Sequence, residues 1–202
     1  MLDTVCDVLK HAYNHGWIST RDGNASYRRE EDNYMYITPS GVRKYHLNSE
    51  MLIKLTLPGL QRVEDDQQQK IIGLKPSGEL HLHYLLQKNS SDSRVVVHLH
   101  PTYIIAAMYA GLDLQGLSQE FPEINRYTRV GPTVPVIPPI SKELGEVTVQ
   151  HLGLKEDGSI DYDIVGLDRH GVISVAKDAW TAIEHVERLE HICQIVLASK
   201  NF

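Results

Sequence analysis

Apolar residues recur along the chain with two different spacings, and the alternation of these spacings predicts an α/β protein. Residues 2–15 carry apolar side chains at helical spacing, and Gly16 then predicts the end of this N-terminal helix. The C-terminal segment 178–198 has a longer helical stripe, made of Trp180, Ile183, Val186, Leu189, Ile192 and Val196. Three shorter segments share the helical spacing and predict helices: 77–87, 101–111 and 141–152.

Runs rich in β-branched and aromatic residues, bounded by turn residues, predict the strands. They lie within residues 34–41, 52–57, 69–74, 94–100, 163–167 and 171–176. The proline-rich segment 132–140 predicts an irregular or edge strand, because proline cannot donate a ladder hydrogen bond. Segment 17–28, rich in Gly, Asn, Asp and Ser, predicts a loop. No repeat, linker or low-complexity block interrupts the pattern, so we expect one α/β domain over residues 1–202.

Composition and charge exclude several classes of partner. The 202 residues are 42% apolar and 23% charged, with a net charge of −6 and no basic run, which argues against binding to nucleic acid or to a membrane. Cys6 and Cys193 are far apart and form no CxxC motif, so neither a disulfide framework nor a cysteine zinc site is predicted. The first sixteen residues carry acids and no uninterrupted apolar core, and no segment approaches the ~20 apolar residues of a membrane span. We therefore expect a cytoplasmic protein.

Two histidines, His98 and His100, end the β-branched run RVVVHLHP, directly before Pro101. Side chains at i and i+2 of a strand share a face, so the two imidazoles are predicted to lie side by side. Ligand sites gather at strand ends in α/β proteins, and neutral imidazoles are common ligands of zinc. Two hydrogen-bonded polar residues without a ligand are the alternative. A catalytic zinc normally has three protein ligands, so the metal interpretation requires a third.

Six further histidines are candidates for the third ligand: His81, His83, His151, His170, His185 and His191. His81 and His83 lie two residues apart on a predicted helix and face different directions, so they cannot both join. The three in the last two predicted helices are expected to be solvated or to cap helix ends. His170 precedes Gly171 at a reversal between two apolar strands, where a glycine lets the backbone come close. Among the six candidates, the position of His170 therefore favours it as the third ligand.

Five short motifs, in order along the chain, resemble those of the class II aldolase/adducin family. They are GNAS at 23–26, ITPSG at 37–41, PSGE at 76–79, HLHP at 98–101 and RHG at 169–171. The resemblance covers nearly the whole chain. It implies a single α/β domain with a central, mostly antiparallel sheet flanked by helices, assembled as a homotetramer with active sites at subunit interfaces.

The resemblance also implies roles for the residues that match these motifs. His98, His100 and His170 would be the zinc ligands. Glu79 would ligate the metal when no substrate is bound and would act as general acid/base once substrate displaces it; its alternative is a favourable acid in a helix's first turn. The phosphate-holding groups would be Gly23, Asn24, Ser40, Gly41 and Ser77. Turns that present hydroxyl, amide and backbone N–H groups favour an anion on physical grounds as well.

Three departures from the family pattern bear on the substrate. Gly78 stands where the sugar-phosphate aldolases tend to have a second serine, which removes one hydroxyl donor although a backbone N–H remains. Arg21 stands where a small hydroxyl residue is common, and its cation would suit either phosphate or carboxylate. The tyrosine that those aldolases contribute from a neighbouring subunit has no clear counterpart, with Glu120, Tyr127 and Arg129 as candidates.

The function that these features predict is a lyase of aldolase type that uses Zn2+ or another divalent transition metal. A small phosphorylated ketose would chelate the ion, whose Lewis acidity would stabilise the enediolate formed as a carbon–carbon bond breaks. A sugar-phosphate epimerase or dehydratase of the same family passes through related anions, so both stay open. A non-catalytic adducin-like module is disfavoured by four convergent ligand-type residues. A cupin also uses an HxH pair, but its acid follows that pair and long amphipathic helices do not interrupt its strands.

Overall fold

Six strands form one sheet in which every neighbouring pair is antiparallel. The computed structural model describes residues 1–29, 33–63, 73–91 and 93–199. The strands are β1 Asn24–Arg28, β2 Tyr34–Ile37, β3 Ile53–Thr56, β4 Val95–Leu99, β5 Ile164–Leu167 and β6 Gly171–Ala176. Their order across the sheet is β3-β2-β1-β4-β6-β5, which places β1 and β4 at the centre. The predicted fold class, a mostly antiparallel sheet flanked by helices, is confirmed.

Helices cover the sheet on both sides. Those of the described residues are α1 Leu2–Asn14, α2 Leu80–Asn89, α3 Thr102–Tyr109, α4 Leu114–Glu120, α5 Pro122–Tyr127, α6 Lys142–His151 and α7 Ala179–Ser199. Five of them, α1, α2, α3, α6 and α7, follow the predicted segments to within a few residues at each end. Two short 3-10 helices, Lys44–His46 and Ser49–Met51, lie between β2 and β3. Within the described ranges, no helix combines the length and the apolar character that crossing a bilayer requires.

Strand β4 separates the two halves of the core. One of its faces joins the larger apolar cluster, which includes α1, α3 and α7, through Val95, Val97 and Leu99. Val96 on the other face joins the smaller cluster, with α2 and α6. Because alternate residues of a strand point to opposite faces, His98 shares the face of Val96 and lies towards α2. Glu79 directly precedes α2, so strand and helix bring these two side chains to the same side of the sheet.

The predicted loop over residues 17–28 is wrong in its C-terminal part, because Asn24–Arg28 forms the central strand β1. Ala25 and Ser26 are fully buried, since small side chains allow elements on both faces to pack closely against this strand. The polar composition that is typical of a loop reflects here a set of buried hydrogen bonds rather than solvent exposure. Polar residues usually face solvent, so a polar segment predicts a loop. Here the polar side chains are buried and hydrogen-bonded, which is why the prediction failed.

Three further segments can be compared with the predicted elements. Helices α4 and α5 were not expected; each is short, and the Asp113 side chain caps α4 by accepting from the backbone N–H of Gln115. The proline-rich segment 132–140 is irregular as predicted, and its Val134 forms an isolated bridge with Leu167. The strand predicted over 69–74 falls mostly outside the described residues.

Gly171 begins β6 where this strand passes close to the end of β4. A Cβ atom at this position would lie 2.2 Å from the carbonyl oxygen of Leu99 and 2.8 Å from Cδ2 of His100. Arg169, two residues earlier, has a left-handed backbone with φ 57°, which turns the chain tightly before the strand. The glycine therefore lets the turn that carries His170 lie against His100.

Replacing Gly171 by alanine is expected to lower the free energy of unfolding, because the added Cβ would overlap the Leu99 carbonyl. Overpacking costs typically ~1–3 kcal/mol, and a backbone obstacle cannot rotate away. Gly111→Ala is the control: Gly111 has φ 74° but no atom within 4 Å of an added Cβ, so left-handed strain of roughly 1–2 kcal/mol is its only cost. Urea denaturation measures both variants. A Gly171→Ala protein as stable as the wild type would contradict the close approach of β6 to β4.

Candidate metal centre

Three histidine side chains converge at the end of β4. The Nε2 atoms of His98 and His100 lie 2.8 Å apart. One ligand atom from each of His98, His100 and His170 lies within 4.8 Å of the other two. His98 is fully buried and the other two are partly exposed. In the part of the chain that the structure describes, this is the group of three or more metal-ligating side chains that could hold an ion.

The tautomer of His98 leaves a nitrogen lone pair at the centre. Nδ1 of His98 lies 3.0 Å from the carbonyl oxygen of Val172, which only accepts, so Nδ1 carries the proton and Nε2 is left as a ligand atom. Burial lowers the pKa of His98 to about 3 and that of His100 to about 4, and it also lowers the pKa of His170. The imidazoles are therefore neutral at ordinary pH, and neutral imidazole is the form that binds a metal.

Glu79 faces this centre from the other side. Its Oε2 lies 3.2 Å from Nε2 of His98, and its Oε1 lies 3.6 Å from Nε2 of His170. Glu79 occupies the N-cap position of α2, yet its side chain makes no capping hydrogen bond, so a purely helix-stabilising role does not account for its direction. A carboxylate oxygen and an imidazole lone pair are both acceptors. Their close approach fits a bound cation, and the donor set of three nitrogens with a carboxylate suits zinc.

The centre lies in a cavity of about 200 Å3. All residues that the sequence analysis associates with the anionic end of the substrate line this cavity: Arg21, Gly23, Asn24, Ser40, Gly41, Ser77 and Gly78. They come from the first residue of β1 and the loop before it, from the loop that follows β2, and from the loop that precedes α2. The hydroxyl of Ser77 accepts a hydrogen bond from the backbone N–H of Glu79 at 3.3 Å. The loops and the histidine centre thus share one cavity, and anion binding by the loops stays a prediction.

The cavity lining also contains residues that the sequence analysis missed, among them Asp22 and Lys44. Lys44 is 1% exposed, and its Nζ donates to the carbonyl oxygens of Arg21 at 3.0 Å and Val42 at 3.2 Å. Burial lowers its pKa. This lysine ties the loop before β1 to the loop after β2. A lysine in a short polar segment carries no signal of burial in the sequence, so pattern analysis could not identify it.

Ile140 has an unusual backbone at the mouth of the cavity. Its φ of 66° lies in the left-handed region, which a β-branched residue rarely adopts, and the residue is 65% exposed. A Cβ atom at Gly78 would lie 3.0 Å from Cδ1 of Ile140. The missing side chain at Gly78 therefore makes room for Ile140 directly beside Glu79.

The remaining histidines lie outside the centre. The expectation that His185 is solvated or capping is wrong, because it is 5% exposed and its Nδ1 lies 2.8 Å from Oγ1 of Thr128. This flank of α7 faces the residue that follows α5 rather than solvent. His191 is exposed as expected, whereas His83 is fully buried and bonded to side chains of β1.

Glu120, Tyr127 and Arg129, the candidates for the counterpart of the tyrosine from a neighbouring subunit, are not among the described residues that line the cavity of the metal centre. Tyr127 and Arg129 line a separate cavity of about 540 Å3, together with His185. Glu120 ends α4 and is exposed. The fold of this chain therefore does not bring any of the three side chains to the histidines.

Comparison with known proteins identifies the class that this fold and site define. The family model for the class II aldolase and adducin N-terminal domain matches residues 3–197. The chain therefore belongs to the class II aldolase/adducin family, which confirms the resemblance of the five motifs and rules out the cupin alternative.

The relatives within this family are named as enzymes of sugar-phosphate chemistry. A 3-oxo-tetronate 4-phosphate decarboxylase from Pectobacterium atrosepticum is 29% identical over 188 residues, which cover 91% of this chain and 78% of that protein. An L-fuculose phosphate aldolase from Methanococcus maripaludis is 29% identical over 191 residues, covering 95% of this chain and 91% of the relative. The structure of a sugar-phosphate aldolase from Thermotoga maritima matches with a TM-score of 0.78 at 23% identity, covering 98% of this chain and 95% of that one. That structural likeness shows the fold.

Removing one histidine from the centre is expected to remove most of the bound metal. The wild type should hold about one divalent ion per chain, whereas His98→Ala and His170→Ala leave two protein nitrogens, which bind far more weakly. Elemental analysis after dialysis measures the metal content. His191→Ala, which changes an exposed histidine of α7, is the control and should keep the wild-type content. Undiminished metal in both centre variants would show that these histidines do not form the site.

Proposed function

We propose that this protein is a metal-dependent aldolase that cleaves a small phosphorylated ketose, with zinc or a similar divalent ion at the histidine centre. The observation that carries the proposal is the position of the Glu79 carboxylate, 3.2 Å from His98 and 3.6 Å from His170. It lies in a cavity whose other walls are loops rich in glycine and hydroxyl groups. Membership of the family supports a sugar phosphate as the class of substrate.

The residues of the centre fit a resident metal ion. His98, His100 and His170 would hold it through neutral nitrogens, and the carboxylate of Glu79 would lie beside it. A divalent ion bound there supplies Lewis acidity, which stabilises negative charge that develops on a substrate carbonyl oxygen.

The groups of the protein itself have separate tasks in this proposal. Glu79 would take the proton of a substrate hydroxyl as the carbon–carbon bond breaks, and would return a proton to the carbon that gains the electron pair. Ser40 and Ser77 would offer their hydroxyl groups to the phosphate, since their backbone N–H groups donate to the carbonyl oxygens of Lys75 and Thr38, and Lys44 belongs to the same lining. Anchoring the phosphate would place the carbonyl end of a short ketose at the histidines, which lowers the entropic part of the barrier.

Related reactions form the alternative. Epimerisation by bond cleavage and reclosure, and dehydration, both create a carbanion next to a carbonyl, as aldol cleavage does. The similarity to a 3-oxo-tetronate 4-phosphate decarboxylase favours a third variant, because loss of CO2 from a 3-oxo acid leaves the same kind of carbanion. A non-catalytic module is less well supported, since four ligand-type side chains converge in one cavity.

The proposal includes a homotetramer with active sites at subunit interfaces and a cytoplasmic location, with no nucleic acid or membrane as partner. Several large apolar residues of the described part of the chain are exposed, among them Tyr45 at 61%, Val136 at 60% and Ile140 at 65%, and Ile140 lines the cavity. Exposed apolar surface beside a cavity favours burial against another surface. Light scattering of the purified protein measures the number of subunits.

Glu79→Gln is expected to lower kcat by ~100- to 10,000-fold, because it keeps the shape of the side chain but removes the proton acceptor. The wild type is first screened with phosphorylated and free ketoses and with 3-oxo-tetronate 4-phosphate. The products of carbon–carbon cleavage, epimerisation, dehydration and CO2 release are measured separately. Metal content is measured in parallel, so that loss of metal is not mistaken for loss of a proton acceptor.

Glu123→Gln is the matched control, because Glu123 is an exposed acid in the first turn of α5. It should turn over like the wild type. Turnover of Glu79→Gln within a few-fold of the wild type would end the acid/base role. A wild type that holds metal but is inert on the whole panel would contradict the proposed substrate class.

Inorganic phosphate and sulfate are expected to compete with the substrate and to raise the Tm, because the three loops would bind an anion. Ser77→Ala should raise the apparent KM about 2- to 10-fold, the effect of one lost hydrogen bond. Ser91→Ala, at an exposed serine outside the cavity, is the control. If neither anion inhibits or stabilises the protein at high concentration, the loops are not a phosphate site.

A further inference from the structure

A row of five buried polar side chains runs from the interior to Glu79. Oγ of Ser26 lies 2.9 Å from Nε2 of Gln87 and 2.8 Å from Nδ1 of His83. Nε2 of His83 bonds Oδ1 of Asn24, whose Nδ2 lies 3.2 Å from Oε2 of Glu79. All five residues are at most 9% exposed. Burying so many polar groups is costly unless their hydrogen bonds are made, so the direction of each bond matters.

At the interior end of the row, the direction of hydrogen-bond donation is set by Gln87. Nε2 of Gln87 also lies 3.2 Å from the carbonyl oxygen of Arg94, which can only accept. The nitrogen of the Gln87 amide is therefore turned towards both Arg94 and Ser26, and it donates to each. Because the Ser26 hydroxyl accepts from Gln87, its own proton is available for Nδ1 of His83.

At the end of the row near the metal centre, hydrogen-bond donation also runs towards Glu79. The carboxylate of Glu79 accepts, so Asn24 presents Nδ2 to it and turns Oδ1 towards His83. Nε2 of His83 must then carry the proton, and Nδ1 is left to accept from Ser26. Burial lowers the pKa of His83 to about 3, which keeps the ring neutral. One tautomer thus satisfies every bond, with donation running from Gln87 to Glu79.

The row does not form a path for protons. A neutral amide such as that of Asn24 does not take up and release protons as a carboxylate or an imidazole does. The effect of the row is therefore on orientation. If the Asn24 amide flipped, its Oδ1 would face the Glu79 carboxylate, and two acceptors would be left opposed and unsatisfied.

We propose that His83 is a positioning residue: through its Nε2–H it holds the amide nitrogen of Asn24 towards Glu79, and so keeps the carboxylate directed at the histidine centre. The acid/base role of Glu79 in this inference rests on the proposed function. The direction of the hydrogen bonds does not depend on any substrate. The inference gives the Asn24 side chain a task beyond the anion binding that the family resemblance implies.

The tautomer of His83 tests the direction of the row without a substrate. In protein with 15N-labelled histidine, long-range 1H–15N spectra distinguish a protonated ring nitrogen from one with a lone pair. The signals of His83 are assigned by their loss in His83→Gln. We expect the proton on Nε2. A proton on Nδ1 would overturn the inference, whatever reaction the protein catalyses.

Kinetic variants test the consequence for Glu79. His83→Leu removes the donor to Asn24, whereas His83→Gln retains an amide N–H. Loss of a hydrogen bond behind a metal-site group typically costs ~10- to 100-fold in activity or metal affinity. We expect His83→Leu to lower kcat by that factor with little change in KM, and His83→Gln to recover most of the loss.

His185→Leu is the matched control, because His185 is also buried and bonded to a hydroxyl but lies outside the cavity of the metal centre. It should lose stability without losing kcat per folded, metal-loaded molecule. An unchanged kcat in His83→Leu, or equal losses in His83→Leu and His83→Gln, would overturn the inference. If His83→Leu does not fold, the inference is still tested by the kcat of His83→Gln relative to the wild type and by the tautomer of His83. A wild type inert on the substrate panel counts against the proposed function, whereas the wrong tautomer counts against this inference alone.

Discussion

The register of β4 between β1 and β6 is the constraint on which the rest of the site depends. His98 stands opposite Asn24 of β1 and opposite Ile173 of β6. A slip of one residue would turn each side chain of β4 to the other face of the sheet. The imidazole of His98 would then enter the larger apolar cluster, away from Glu79. The hydrophobic burial of β4 on both faces therefore stabilises the sheet and sets the geometry of the histidine centre at the same time.

Burial has two consequences for the polar groups around this strand. It lowers the pKa values of His98 and His100, so that both rings are neutral and each has one nitrogen lone pair. It also raises the cost of any unmade hydrogen bond, which leaves a single workable arrangement for the side chains between Gln87 and Glu79. An exposed site with the same residues would permit several tautomers and rotamers. Because these side chains are buried, their hydrogen bonds have one defined direction of donation.

The local spacing of residues in the sequence was enough to predict most of the helices, the HxH pair on one strand and the reversal before Gly171. It could not predict the burial of Lys44 or of His185, because both depend on carbonyl or hydroxyl oxygens supplied from elsewhere in the chain. Strand β1 was missed for the same reason: the polar residues that suggested a loop are satisfied by side chains of α2. Periodicity reports which face is apolar, whereas the partners of a buried polar group are known only after the fold is formed.

The contact between positions 78 and 140 has a consequence for substitutions at either position. Ile140, with a left-handed backbone, lies next to the space in which a side chain at position 78 would lie. A serine at position 78 would move the end of the Ile140 side chain by a few tenths of an ångström, whereas the left-handed backbone at position 140 would stay strained with any β-branched residue there. The shape of the cavity mouth beside Glu79 is therefore a joint property of these two residues.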